Sequence, residues 1–122
     1  MSDNDTTTNV GQSAENLAAH FLEKNGLIVL ARNYRCRGGE IDLVCRAGKT
    51  LVFAEVRFRR NTDFGGAGAS ITLTKQKRII LAAQHYLLVN KLHNCDCRFD
   101  CLLLNDMNER NIDWIPNAFF SS

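Results

Sequence analysis

Residues 38–60 read GGEIDLVCRAGKTLVFAEVRFRR, and no other stretch narrows the fold as far. Two strand-length apolar segments, 40–46 and 50–59, flank a turn at Ala47-Gly48-Lys49. Their β-branched and aromatic content suits strands, and so short a connection favours an antiparallel hairpin. Each segment carries an acid in its interior, Asp42 and Glu55, and the spacing suits a hairpin that brings the two together across the strands. Side chains alternate along a strand, so Glu55 shares a face with Arg57, while Val52, Ala54, Val56 and Phe58 take the other. Glu40 and Asp42 share a face by the same rule.

Acids inside apolar strands are costly. Burial and mutual repulsion both disfavour the ionised form, and one member of such a pair is driven to protonate. A divalent cation removes the conflict. Mg²⁺ takes one or two carboxylates and keeps several waters, and phosphodiester hydrolysis uses such an ion to hold phosphate and activate water. The competing reading is a plain ion pair between Glu55 and Arg57 or Arg35.

The remaining segments give an α/β chain. Residues 1–10 read as a disordered tail and 11–122 as one domain. Ser13 is a candidate N-cap for a helix carrying Ala14, Leu17, Ala18, Phe21 and Leu22 at helical spacing, which Gly26 should end near Lys24. Strands are expected over 27–35, 40–46 and 50–59. A Gly-rich loop spans 60–72, and a helix runs over 74–92 with Ile79, Ile80, Ala83, Leu87 and Leu88 on its apolar side. Strands over 97–104 and 111–116 complete the order α-β-β-β-α-β-β. The β-α-β step implies one parallel pair in a mixed sheet that helices can cover on both faces.

Charge is unevenly placed. The net +2 conceals eleven Lys/Arg against four Asp/Glu from Arg32 to Arg78, a basic block whose natural partner is nucleic acid, although a solvated surface would carry the same charges. Lys75, Lys77 and Arg78 crowd the first turns of the second helix, where the helix dipole disfavours cations, so an anion nearby would explain them better than helix stability does. No apolar run approaches the roughly 18 residues a bilayer crossing needs, and the polar N-terminus lacks the features of a secretory signal. A cytoplasmic protein is expected.

The five cysteines are an odd number in a chain with no sign of export, which argues against disulfides. A zinc site built from His93, Cys95, Cys97 and Cys101 is the sharper idea. Its C-x-C spacing would send the first two thiols to opposite faces of a strand, whereas Cys97 and Cys101 share a face with Phe99 as small core residues would. His20, His85 and His93 have no partner spacing of a metal or triad site, and Trp114 reads as packing.

The segments GGEIDLV (38–44), LVFAEVRFRR (51–60), KQKRIILAAQHYL (75–87) and RFDCLLL (98–104) resemble the YraN-like proteins of bacteria, which are similar to archaeal Holliday-junction resolvases of the PD-(D/E)xK, restriction-endonuclease-like superfamily. The resemblance runs over about residues 11–120. It implies an αβββαβ core with a mixed central sheet flanked by helices. It also implies Asp42 as the metal-binding aspartate, Glu55 as the acid of the ExK element and Glu15 as a helix acid joining the metal shell; a first-turn glutamate favoured by the helix dipole is the alternative for Glu15. Arg57 stands where that motif has lysine. An arginine stays charged and can hold a phosphate but cannot act as a base. Arg59, Arg60, Lys75, Lys77 and Arg78 would then contact phosphates.

The expected function is a nucleic-acid-binding protein, with DNA as the preferred partner, acting as an endonuclease with Mg²⁺ or Mn²⁺ on structured or branched DNA through Asp42, Glu55 and Arg57. The alternatives are a nucleic-acid-binding module that does not cut and a protein-interaction domain on the same fold. The resemblance also suggests a homodimer.

Overall fold

The structure, a computed structural model, describes residues 6–58 and 71–121. Five strands form one sheet in sequential order: β1 (Ile28–Cys36), β2 (Gly39–Ala47), β3 (Thr50–Phe58), β4 (Asp96–Leu104) and β5 (Ile112–Phe119). The pairs β1/β2, β2/β3 and β4/β5 are antiparallel and β3/β4 is parallel. Helices α1 (Thr6–Lys24) and α2 (Leu73–Val89) lie before β1 and between β3 and β4. This is the expected α/β order with a mixed sheet, compatible with an αβββαβ nuclease-like core.

Helix α1 covers one face of the sheet. Ala14, Ala18 and Leu22 bury against Leu43, Cys45, Val52, Ala54, Leu102 and Leu104. Helix α2 covers the other, with Ile79, Ala82 and Ala83 against Ile41, Val44, Phe53, Phe99 and Leu103. Strand β3 is therefore buried on both faces, as parallel-paired central strands are. The face that carries Glu55 is as apolar as the opposite one, because Leu51 and Phe53 lie on it.

Several expected boundaries move. Helix α1 begins at Thr6 rather than after Ser13, so Ser13 lies inside the helix and does not cap it. Extending a formed helix costs far less than nucleating one, and the amphipathic stretch from Ala14 carries weaker helix formers with it. The end of α1 is as expected: Gly26 adopts φ +91° and Leu27 N–H returns to Leu22 O at 3.0 Å, the left-handed termination that glycine favours. Helix α2 stops at Val89, before the expected Leu92, because Asn90 caps it and Lys91 turns left-handed at φ +57°. Leu88, expected on the apolar side of α2, is exposed. Strand β5 continues through Pro116 to Phe119, which proline permits because β5 is a sheet edge.

Gly39 sets how closely α2 approaches the sheet. A Cβ there would meet Arg78 O at 2.6 Å and Ala82 N at 2.9 Å, so helix backbone rests directly on β2 at this point. The start of α2 is thereby fixed beside the two interior acids. Thr72 caps the helix, its Oγ1 accepting the Lys75 N–H at 3.2 Å.

Candidate metal and phosphate site

Asp42 and Glu55 come from neighbouring strands and meet. The β2/β3 ladder ends at Leu43↔Ala54, and one step further along the same register Asp42 stands opposite Glu55. Asp42 Oδ2 accepts the Val56 N–H at 2.8 Å, and the Glu55 carboxyl is its neighbour across the strands. Burial, and then the neighbouring Glu55 carboxylate, push the Asp42 carboxyl up to about 7. Asp42 therefore holds on to its proton up to near neutral pH.

The alternation of side chains breaks where the site forms. Ile41 and Val44, three residues apart, both face α2, whereas Leu43 and Cys45 face α1. A regular strand would not allow this. Asp42 sits in this irregularity, between Ile41 and Leu43. Glu40 is part of a surface ion-pair group with Arg78 at 3.2 Å and Arg35 at 3.9 Å.

Glu55 is buried, and Lys75, which the ion-pair alternative did not name, is bonded to it. Lys75 Nζ lies 2.6 Å from Glu55 Oε2. The Lys75 ammonium is held above its usual range, first by its hydrogen bond to Glu55, against the opposing effect of burial and with further help from the Glu55 and Asp42 charges. Lys75 is thus a cation at the acid pair, with half of its side chain open to solvent. It belongs to the site itself and not only to a flanking basic surface.

Arg57 and Lys75, with Phe58 and Thr72, line a cavity of about 310 Å³. Phe58, expected to face the apolar layer, is exposed at its edge. The cavity has two cations on its walls and the acid pair adjoining it through Lys75. Lys77 is exposed on α2, and Arg78 is engaged by Glu40. Arg59, Arg60 and residues 61–70 of the Gly-rich loop lie outside the described residues.

Glu15, on α1, is near enough for the Asp42 charge to act on it. Burial first, and then Asp42, raise its carboxyl, while a hydrogen bond from the Asn33 side chain and the Arg32 and Arg35 charges oppose the rise. Among the described residues no three His, Cys, Asp or Glu side chains close into a cage for a metal ion. Asp42 and Glu55 offer two adjacent carboxyl groups from neighbouring strands. That donor set fits Mg²⁺ or Mn²⁺, hard ions that accept one or two carboxylates and fill the remaining positions with water. Among the described residues His93, Cys95, Cys97 and Cys101 do not gather into a metal-holding group either. Cys101 is a buried thiol in the core against α2, pushed up to about 11 by burial, and Cys97 packs at its margin.

Sequence reasoning passed over two residues. Asp100 is a fully buried acid on β4, held by Arg98 Nε at 3.1 and 3.2 Å, by Trp114 Nε1 at 2.9 Å and by the Asn117 N–H at 3.1 Å. An acid inside an apolar strand was the signal that singled out Asp42 and Glu55, and it applies equally to Asp100. Here the donors satisfy the carboxylate completely, so Asp100 is a staple between β4 and β5. Trp114 is packing, as expected, edge-on to Phe21 at 6.1 Å, with its N–H committed to Asp100. The other residue is Asn33, which the β1/β2 register sets opposite Asp42 with φ +49°.

Among the described residues no helix is long and apolar enough to cross a membrane. The family model described as uncharacterised protein family UPF0102 matches residues 14–104. A UPF0102 protein of Dechloromonas aromatica is 60% identical over 116 residues, covering 95% of this chain and 92% of the relative. A second, from Nitrosospira multiformis, is 54% identical over 109 residues, covering 89% and 91%. A third, from Methylobacillus flagellatus, is 50% identical over 110 residues, covering 90% and 96%. On this match the chain belongs to the UPF0102 family, the YraN-like proteins that its GGEIDLV and LVFAEVRFRR segments resemble.

Proposed function

We propose that this protein is a cytoplasmic nucleic-acid-binding protein that hydrolyses phosphodiester bonds in structured or branched DNA with Mg²⁺ or Mn²⁺ at Asp42 and Glu55. One observation carries the reading. Two interior acids from neighbouring strands meet at one spot, with a lysine from the start of a basic helix bonded to one of them. A structural ion pair needs one acid and one base, and the second acid adds cost without benefit unless a further cation joins it.

A divalent ion held by these carboxylates would polarise the phosphate and lower the pKa of a water on it. Asp42 is fixed by the Val56 N–H, so its free lone pairs have a defined direction. Arg57 stays charged and binds phosphate in the cavity that it lines with Thr72 and Lys75. Lys75 supplies the ammonium that the superfamily motif places two residues after the glutamate. From α2 it sets a positive charge against Glu55 and toward the same cavity, where charge builds up in the transition state. Lys77, Arg59 and Arg60 extend the phosphate contacts, which carry no sequence preference. A symmetric pair of chains would match a symmetric junction, and sedimentation with and without junction DNA tests this.

A specific observation favours binding without cutting. Arg57 cannot accept a proton, and Lys75, raised by Glu55, is protonated at neutral pH. The experiment is to incubate the purified protein with four-way junction, flap and single-stranded DNA in Mg²⁺ and in Mn²⁺. Cleavage that Asp42→Ala and Glu55→Ala abolish, with binding retained, supports the nuclease. Salt-sensitive binding without product in either ion supports the second reading. Absence of nucleic-acid affinity at moderate salt discards both and leaves a protein-interaction domain.

A further inference from the structure

Phe58 ends β3 at a row where the core still holds its neighbour. Its parallel partner on β4 is Leu104, which is fully buried, and Leu51, Val52 and Phe53 earlier in β3 are buried too. Phe58 itself is 37% exposed. A second large apolar side chain stands open at the start of α2. Leu73, which follows Thr72 directly, is 71% exposed. Single exposed apolar residues are ordinary on a protein surface. Phe58 differs in its company. It lines the same cavity of about 310 Å³ as Arg57, Thr72 and Lys75, so an aromatic ring and two cations border one space.

The two cations fit a phosphate. The ring needs a different partner. An intact duplex turns its backbone and groove edges outward and keeps its base faces stacked inside, so it offers no flat apolar face to a side chain at its surface. At a flap or a branch point the first unpaired base can leave the stack. Its face can then lie on an aromatic ring, whichever base it is. The cavity, at about 310 Å³, stands at the small end of ligand pockets, which run from about 300 Å³ upward. It suits one nucleotide, with the phosphate against Arg57 and Lys75 and the base against Phe58.

We propose that Phe58 is a stacking platform for the first unpaired base of a flapped or branched DNA, and so the residue that makes the site prefer unpaired over fully paired DNA. This rests on the nucleic-acid reading above and not on cleavage. Leu73 extends the apolar margin of the platform on the α2 side.

The test is fluorescence anisotropy with a labelled duplex carrying a single-stranded flap and with the fully paired duplex of the same core sequence. Both are measured in Ca²⁺, a hard ion that takes the same oxygen ligands as Mg²⁺. The proteins are the wild type, Phe58→Leu and Phe58→Trp, with a thermal melt of each. Leucine keeps apolar bulk and loses the ring, whereas the indole of tryptophan stacks at least as well as the phenyl group. The wild type is expected to prefer the flapped DNA. The ratio of its two affinities should fall about tenfold in Phe58→Leu, in line with what one stacked base contributes, and should persist in Phe58→Trp. Stacking releases no counterions, so flap binding should keep its salt dependence in Phe58→Leu while it weakens. Equal wild-type affinity for the two DNAs, or a preference that survives in Phe58→Leu, overturns the role of Phe58 and leaves the nucleic-acid reading standing. Loss of both DNAs in proportion, with a lowered melting temperature, overturns it as well, since the ring then only packs. A wild type that binds neither DNA at moderate salt overturns the nucleic-acid reading itself, and the assignment falls with it.

Discussion

Lys75, in the first turn of α2, bonds to Glu55, in the interior of β3, with 2.6 Å between Nζ and Oε2. The lysine is half exposed and the glutamate is buried. Solvent weakens such a contact from the lysine side, yet it is the cation bonded to the buried acid pair. The approach depends on Gly39, which lets the α2 backbone touch β2, and on Thr72, which caps the helix beside the site.

Replacing Lys75 with methionine should therefore leave two buried acids with less compensation. A stability loss of about 1–2 kcal/mol is expected, below the 3–5 kcal/mol of a fully buried pair because Lys75 is half open to water. Mg²⁺ should restore more stability to Lys75→Met than it adds to the wild type, since the ion supplies the missing charge. Urea denaturation with and without about 10 mM Mg²⁺, enough to saturate a weak carboxylate site, measures both effects. Equal Mg²⁺ effects in the two proteins would argue against a shared site.

The raised Asp42 carboxyl predicts a pH dependence. The Asp42 carboxyl is raised to about 7 in the folded chain from 3.8. Between those values the folded state holds a proton that the unfolded state has lost. The contribution of Asp42 to stability is therefore full below the lower value and is lost as pH rises through about 7. Asp42→Asn should flatten that slope. Mn²⁺ competes with the same proton, so its affinity should fall about tenfold per pH unit below the Asp42 pKa, with one proton released on binding. Calorimetry in buffers of different ionisation enthalpy counts that proton; a release of zero at pH 6 would contradict the arrangement.

Asp100 predicts a structural effect with no functional one. Asp100→Ala strands the Trp114 and Asn117 N–H groups and frees Arg98, and a loss of about 3 kcal/mol or more is expected. A lower urea midpoint with unchanged slope and altered Trp114 fluorescence would report it, while Mn²⁺ affinity stays at the wild-type value. A loss below about 1 kcal/mol would mean that water replaces these bonds at little cost.

The chain's sequence by itself determined the order of elements and the two acids. Alternating apolar strands, a Gly-ended helix and short turns are local signals, and an acid inside an apolar strand is costly wherever the strand lies. What only the tertiary structure decided is who stands beside those acids. Lys75 is twenty residues from Glu55, and nothing local says that it reaches across. Its approach follows from a helix docking on Gly39. Likewise Asn33 reads as a strand residue until the register sets it opposite Asp42 and its backbone turns left-handed. Asp100 carries the same sequence signal as the site acids, yet three donors from its own sheet satisfy it. Burial marks an acid as costly; only the neighbours brought by packing decide whether that cost is met by the fold or left for a ligand to meet.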